Sequence, residues 1–185
     1  MSNQEINLAL IGVNHRTAPV ALREKLAFAE DRAIFNGYRE ADIQGIREGT
    51  SNPVETLPAD VRDYPDAVAR ALTQLRLVGV NGPYSVLLGA NEYTALAEIR
   101  DHGYPVLDHV KRIVDGNLIW APAIEGAFVL TTRGGDFELN IGQDVSIGYL
   151  SHTDSEVRLY LQETFVFRVL TSEASVALLP STKSS

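Results

Sequence analysis

Histidines are the side chains in this sequence best suited to proton transfer or metal binding, and there are four of them. Two of them, His102 and His109, stand seven positions apart, a spacing that places both imidazoles on one face of a continuous helix. Gly103 and Pro105 lie between them, and both residue types interrupt helices. The sequence therefore predicts that the two histidines have separate roles and hold no metal ion.

The loop DHGYPV combines a protonatable and an aromatic side chain with two residues that break helices. This pattern predicts a turn between two helices, in which the aspartate caps a helix end. Binding groups are concentrated in loops of this kind. The loop is therefore a candidate functional site as well as a turn, and the two interpretations are compatible for its first five residues, Asp101, His102, Gly103, Tyr104 and Pro105.

No other motif assigns a catalytic residue. The chain has no cysteine, which excludes disulfides, thiolate metal sites and thiol nucleophiles. No serine lies in a recognisable nucleophile motif. The glycine-rich run RGGDF, Arg133 to Phe137, opens no helix and so offers no helix N-terminus to a phosphate. It predicts a hairpin turn between two strands, and we expect no cofactor.

Composition and charge describe an acidic globular protein. The 185 residues carry a formal net charge of −8, and 45% of them are hydrophobic. An acidic chain disfavours binding to nucleic-acid phosphates, which requires clustered lysine and arginine. No apolar run approaches the ~20 residues that a membrane span needs, and the first residues do not resemble an export signal. We therefore expect neither a nucleic acid nor a membrane as a partner.

Four helices are predicted from apolar residues that recur at helical spacing, over about 20–36, 65–78, 91–100 and 105–115. Asn91 is the expected cap of the third helix, and Val106, Val110 and Ile113 are the inward residues of the fourth. The polar segment from Arg39 to Asp63 contains glycines and prolines and is predicted to be a loop.

Strands dominate the second half of the chain, separated by glycine or proline turns. They are predicted over 118–121, 127–132, 137–141, 145–149 and 175–179, after an earlier buried strand at 85–88. The stretch from Val157 to Val169 alternates apolar and polar residues and would extend about 40 Å. Glu163 breaks its apolar side, and we expect an ion pair with Arg158 or Arg168, or a subunit interface. A strand of this length indicates an elongated limb.

The stretch GVNHRTAPVALRE, Gly12 to Glu24, resembles the start of glutamyl-tRNA reductase. That resemblance implies a position near the substrate for His15 and Arg16. It also implies a catalytic cysteine and a dinucleotide-binding glycine fingerprint, and this chain has neither. The two residues are therefore interpreted as surface polar groups, and an enzyme related to the reductase is the weaker alternative.

From about Leu26 onward the sequence resembles a type I encapsulin, the family also labelled linocin or bacteriocin. The resemblance rests on ordered stretches that include KLAFAEDRAIFNGY, VNGPYSVLLGANEYTAL, DHGYPVLDHV, LIWAPAIEGAFVLTTRGGDFELNIGQDVSIGYLSH and VRLYLQETFVFRV. It implies an α+β fold of the tailed-phage major capsid protein (Hong Kong phage) type, here without the family's N-terminal helix and extended loop. It also implies a structural shell subunit, not an enzyme, that self-assembles in the cytoplasm and encloses cargo proteins.

The resemblance divides the chain into four parts. Residues 1–21 form the reductase-like segment, 22–50 the spine-helix part of the peripheral domain, 51–151 the axial domain, and 152–185 the return strands and tail. It places the loop 101–105 near a pore on a five-fold axis. It also makes Phe165 and Phe167 either core residues, the favoured interpretation, or part of a cargo groove.

The expected partners are copies of the chain itself and a cargo protein that binds through a targeting peptide. The second partner is in doubt, because the N-terminal helix that helps to form the groove is missing. A non-assembling fragment or binding module is the alternative, and the exposed edge of the long strand would then favour aggregation.

Overall fold

The computed structural model describes residues 18–155 and 157–181, with side-chain burial from Glu24 onward. The predictions for residues 1–17 of the reductase-like segment, which include His15 and Arg16, lie outside the described residues. Among the described residues, no helix is both long and apolar enough to cross a membrane.

The elements alternate between helices and strands before two long strands. The helices are α1 (Ala18–Asn36), α2 (Ile46–Gly49), α3 (Tyr64–Leu77), α4 (Ala90–Glu98) and α5 (Val106–Ile113), with 3-10 turns at Arg39–Ala41 and Val61–Asp63. The strands are β1 (Glu55–Leu57), β2 (Tyr84–Leu88), β3 (Arg100–Asp101), β4 (Tyr104–Pro105), β5 (Leu118–Trp120), β6 (Ala127–Thr131), β7 (Phe137–His152), β8 (Val157–Val169) and β9 (Ser175–Pro180).

A five-stranded sheet in the order β1-β9-β6-β2-β5 forms the centre of the molecule. β6 is antiparallel to both of its neighbours, whereas β1 is parallel to β9 and β5 is parallel to β2. β2 and β6 are buried along their whole length, which explains why both read as continuous apolar runs. Side chains that alternate along these strands therefore enter two separate cores.

The first core lies between the sheet and helices α3, α4 and α5. Val86 and Val129 enter it from the sheet, and Val68, Leu75 and Val110 enter it from the helices. Pro65 stands in the first turn of α3, where its missing N–H costs no hydrogen bond. Each fully buried aliphatic side chain here contributes about 1.5–3 kcal/mol.

The second core lies on the opposite face of the sheet, under α1, α2 and the end of β8. Leu87 and Phe128 enter it from the sheet, and Phe35 of α1 packs on Phe128 with ring centroids 5.3 Å apart. Arg47 of α2 lies over the same ring, 5.1 Å from its centroid. The sheet therefore joins the helical layer to the base of the two long strands.

Strands β7 and β8 pair only with each other and form a hairpin, called the arm below. The predicted strand from Val157 to Val169 is confirmed. The prediction of two separate strands at 137–141 and 145–149 was wrong, because β7 is continuous. It contains three register shifts, and two of them lie between Ile141 and Ser146, where the sequence interrupts the apolar alternation.

Three smaller predictions were also wrong. The segment from Arg39 to Asp63 is not only loop, since it contains α2, β1 and two 3-10 turns. Asn91 lies inside α4, whose N-cap is Gly89 without a side-chain cap. Ile113 is the last residue of α5 and is exposed, because the helix has already turned that position away from the core.

Candidate functional site

The arm has one apolar and one polar face. Residues directly opposite each other on paired strands share a face. On the apolar face these pairs are Leu139–Phe167, Ile141–Phe165, Ile147–Leu161 and Tyr149–Leu159. On the polar face they include Glu138–Arg168, Asn140–Val166, Gln143–Thr164 and Ser146–Gln162. The bulges in β7 thus keep its apolar residues on one side despite their irregular spacing.

Helix α1 covers the base of the β8 half of the apolar face. Ala33 packs in one core cluster with Phe165 and Phe167, which are only 4% and 8% exposed. The structure thus places both phenylalanines in the core. The β7 half is uncovered, with side chains between 40% and 57% exposed. These residues are called the β7 strip: Leu139, Ile141, Ile147 and Tyr149.

Glu30 of α1 and Asp144 and Glu163 of the arm are close enough for electrostatic repulsion, and with Asp31, the neighbour of Glu30, they are called the acidic cluster: Glu30, Asp31, Asp144 and Glu163. The first two come from α1 and the others from the two strands of the arm. Glu163 lies opposite the bulge between Gln143 and Ser146, which contains Asp144. The bulge therefore brings a second carboxylate towards Glu163, as bulges often do when they redirect a side chain.

Burial and electrostatic repulsion both raise the pKa values of Glu30 and Glu163. Burial raises the pKa of Glu163, and the Asp144 carboxylate raises it further. Burial also raises the pKa of Glu30, with added repulsion from Glu163, Asp31 and Asp144. Burial alone raises the pKa of Asp31. The folded protein therefore disfavours the charged form of these three groups.

The prediction of an ion pair for Glu163 was wrong. Arg168 pairs instead with Glu138, at 3.5 Å, on the polar face of the arm. Arg158 lies opposite Ser151 on that same face. Both arginines occupy even-numbered positions of β8, whereas Glu163 points to the α1 side. Glu163 is only 4% exposed, and its carboxylate forms no ion pair with a described residue.

The RGGDF segment closes the base of the arm. Arg133 donates two hydrogen bonds to the Asp136 carboxylate, at 2.8 and 2.9 Å. The Asp136 carbonyl accepts the backbone N–H groups of Leu170 and Thr171, at 2.8 and 3.2 Å. The predicted hairpin turn was wrong, because β6 and β7 do not pair with each other. The segment instead connects the sheet to the arm and binds the returning chain.

The loop after α4 is a tight β-hairpin rather than a helix cap. β3 and β4 pair through Arg100–Pro105 and Asp101–Tyr104, and both turn residues, His102 and Gly103, have positive φ, at 47° and 89°. Such a pair of angles is typical of a two-residue hairpin turn. Asp101 lies 2.9 Å from the His102 imidazole, so the predicted helix-capping role was wrong.

The hairpin presents its polar and aromatic groups outward. Tyr104 is 66% exposed, and the His102 side chain is almost fully exposed. His109 lies on α5 and is half-buried. Within the described residues, no group of three or more histidine, aspartate or glutamate side chains is arranged to hold a metal ion.

The sequence predicted the loop 101–105 but not the β7 strip or the acidic cluster. The signal for the strip was present in the alternation of Val145, Ile147 and Tyr149. The signal for the cluster was not local, because Glu30 and Glu163 are far apart in the chain and come together only through packing of α1 on the arm.

Comparison with known proteins gives a consistent family. The profile of the Linocin_M18 family, described as "Encapsulating protein for peroxidase", matches residues 16–166. The type 1 encapsulin shell protein of Mycobacterium tuberculosis is 63% identical over 155 residues, covering 84% of this chain and 58% of that protein. The Rhodococcus erythropolis shell protein is 59% identical, covering 84% and 59%. The chain thus spans less than two thirds of the length of these relatives.

Solved structures share the fold. A virus-like particle from Pyrococcus furiosus has a TM-score of 0.61 at 20% identity, covering 94% of this chain and 74% of that chain. A protein of Gordonia phage Cozz has a TM-score of 0.67 at 14% identity, covering 97% and 70%. The expected α+β fold of the phage-capsid type is confirmed.

The likeness to glutamyl-tRNA reductase is weak and partial. The reductase of Pseudoalteromonas atlantica is 27% identical over 167 residues, which span 37% of that enzyme. The reductase of Magnetococcus marinus is 37% identical over 73 residues, 17% of its length. The relatives with the higher identities are encapsulin shell proteins.

Proposed function

Because the chain belongs to the encapsulin shell-protein family, we propose that it is a structural subunit that associates with copies of itself into a shell, encloses cargo enzymes and catalyses no reaction. The observation that carries this proposal is the arm. A 16-residue strand pairs on one side only and leaves four apolar side chains uncovered on one face. Such a surface favours contact with another polypeptide.

The proposal also includes the expected pore, domain division and cellular location. The hairpin 100–105 lies near a five-fold pore, where the exposed His102 and Tyr104 face the channel. Residues 22–50 and 152–185 belong to the peripheral domain and 51–151 to the axial domain. β9 lies between β1 and β6, so the returning segment also contributes to the central sheet. The shell lies in the cytoplasm.

Cargo binding is proposed for the β7 strip rather than for Phe165 and Phe167. Both phenylalanines are buried beneath α1, whereas Ile147 and Tyr149 are more than half exposed. An apolar targeting peptide that lies on the strip would cover these residues.

The first test of this proposal changes one residue of the β7 strip. Ile147→Glu places a charge on the uncovered apolar face, and we expect it to shift the assembled fraction towards monomer by at least about tenfold, since burying an unpaired charge is costly. Mass photometry and negative-stain electron microscopy measure the assembled fraction. Asn140→Glu, the same charge on the polar face of β7, is the matched control and should assemble like the unchanged protein.

Two outcomes would contradict the proposal. If the unchanged protein stays monomeric at all concentrations and salt conditions, the self-association of this chain is refuted. If both glutamate variants assemble equally well, the β7 strip is not the contact surface.

A further inference from the structure

The turn between α3 and β2 contains one of the two Asn-Gly pairs of the chain, Asn81-Gly82, and the other is Asn36-Gly37 at the end of α1. Asparagine is among the thermally least stable residue types. Its side-chain carbonyl carbon lies within reach of the next backbone nitrogen, and a glycine there leaves the approach open because it has no side chain. The reactivity of each pair therefore depends on how the fold holds the glycine nitrogen.

At Asn81 the fold leaves both reacting groups free. The Asn81 side chain is exposed, and its carboxamide forms no hydrogen bond with a described residue. The Gly82 N–H also donates no hydrogen bond within the described part of the chain. The Asn81 backbone carbonyl accepts a hydrogen bond from the Thr131 hydroxyl, at 2.8 Å, which holds the main chain but neither reacting group. The Gly82 nitrogen can therefore reach the carboxamide without breaking a hydrogen bond to these residues.

The Asn36-Gly37 pair is held in the opposite way. Gly37 follows the last residue of α1, and its N–H donates to the Ala33 carbonyl at 2.9 Å. A Cβ added at Gly45 would lie 2.2 Å from the Gly37 nitrogen, so the Gly45 backbone covers that nitrogen. Attack by Gly37 therefore requires local opening of the helix end, which makes this pair an internal control for the other.

Packing at the start of β2 favours glycine at position 82. A Cβ there would lie 2.7 Å from Asp115 Oδ2 and 3.0 Å from the Tyr84 ring. The other oxygen of the same carboxylate accepts the Tyr84 N–H, at 2.7 Å. The contact that positions the first residue of the buried strand therefore disfavours a side chain at the residue that makes Asn81 reactive.

We propose that Asn81 of the folded chain converts to aspartate and isoaspartate through attack by Gly82. The Gly82 nitrogen loses its proton to solvent base and bonds to the side-chain carbonyl carbon of Asn81. The bond from that carbon to the side-chain nitrogen breaks, and ammonia leaves. Water then opens the cyclic imide. Opening at the side-chain carbonyl gives aspartate, whereas opening at the main-chain carbonyl gives isoaspartate, and each product carries a new negative charge.

The isoaspartate form has an extra methylene in the main chain between α3 and β2. Two hydrogen bonds tie this short segment to the end of β6. The Thr131 hydroxyl donates to the Asn81 carbonyl at 2.8 Å, and the Thr132 amide donates to the Pro83 carbonyl at 2.7 Å. Lengthening the chain between the two acceptors displaces them relative to each other. The modified subunit therefore loses protection at this end of the sheet.

The experiment incubates the full chain at pH 7.5, both folded and in guanidinium chloride, and follows both Asn-Gly pairs by peptide-mapping mass spectrometry. Methylation by a protein isoaspartate methyltransferase detects isoaspartate. In the folded chain we expect Asn81 to convert at least about tenfold faster than Asn36, because only Asn36 needs a hydrogen bond to open first. In denaturant neither nitrogen is held, and the two rates should agree within about threefold.

Asn81→Gln is the matched control for the site, because its longer side chain would have to close a larger ring. This variant should form no isoaspartate at position 81, while Asn36 converts as before. In the converted chain, hydrogen exchange of the Thr132 amide should be at least about fivefold faster than in the fresh chain.

The inference is overturned if Asn81 stays unmodified in the folded chain, or if Asn36 converts as fast as Asn81 there. Aspartate without isoaspartate would also overturn it, because direct hydrolysis would then replace the imide. Unchanged exchange at Thr132 would refute the loss of protection. The inference goes beyond the proposed function, since a chain that fails to assemble would refute that function without affecting these measurements.

Discussion

Glu163 shows how a single buried carboxylate affects the stability of the folded chain. The residue is 4% exposed, its carboxylate is repelled by that of Asp144, and it forms no ion pair with a described cation. A group in this position destabilises the isolated subunit in its charged form.

The raised pKa of Glu163 should make the stability of the protein depend on pH. The folded-state pKa of Glu163 is raised above its ordinary 4.5, so its contribution to stability is fully present below pH 4.5 and is lost as pH rises through the folded pKa. Glu163→Gln should therefore raise the free energy of unfolding at pH 7.5 by about 1 kcal/mol and have little effect near pH 4. Scanning calorimetry across this range measures the difference. A variant that is less stable at pH 7.5 would contradict it.

The backbones of Gly45 and Gly37 approach each other too closely for a side chain at Gly45. A Cβ added at Gly45 would lie 2.2 Å from the backbone nitrogen of Gly37, so α2 could not keep its position beside α1. Gly45→Ala should cost about 2–3 kcal/mol in the free energy of unfolding. Gly134 is the control, because a Cβ there meets no atom within 4 Å and only its positive φ of 89° opposes alanine. Equal losses in urea denaturation of the two variants would show that packing is not the cause.

Among the elements, the arm depends on the contact at its base. Asp136 is 3% exposed and holds both the outgoing and the returning chain through Arg133, Leu170 and Thr171. The Arg133 guanidinium, with a further hydrogen bond from Thr171, holds the pKa of Asp136 below its usual range. The two chain crossings between sheet and arm are therefore tied at one residue, through the carboxylate and the backbone carbonyl of Asp136.

Removing that contact should loosen the arm rather than unfold the sheet. We expect Arg133→Ala to increase hydrogen exchange of the Leu170 and Thr171 amides by at least about tenfold, while the amides of β2 and β6 stay protected. Hydrogen-exchange mass spectrometry resolves these segments. Arg62→Ala breaks an exposed ion pair with Asp60 and should change neither region. Unchanged exchange at Leu170 would show that Arg133 does not hold the crossing.

Periodicity explains which elements the sequence predicts and which it does not. Helix α3 has an uninterrupted apolar period and that of strand β8 is broken only at Glu163, and both were predicted within one or two residues. Strand β7 was divided in the prediction because Gly142, Gln143 and Asp144 interrupt its period, and only pairing with β8 shows these residues to be bulges. The ion-pair partner of Glu163 was misassigned because side-chain direction follows register rather than proximity in the sequence.

The whole molecule combines a layered body with a limb that has only one covered half. The body has a core on each face of its sheet, whereas the arm relies on α1 alone. The surface left open by this arrangement, the β7 strip, explains why association is the function that the geometry supports. The assembly experiment tests that surface through its apolar residues.

The position of β9 also determines when the protein can finish folding. β1 pairs only with β9, which also fills the place between β1 and β6. During synthesis, β1 leaves the ribosome more than a hundred residues before its sole neighbour does. The middle of the sheet therefore closes only after the arm has been made, and a nascent chain halted before Ser175 exposes a gap that chaperones would recognise.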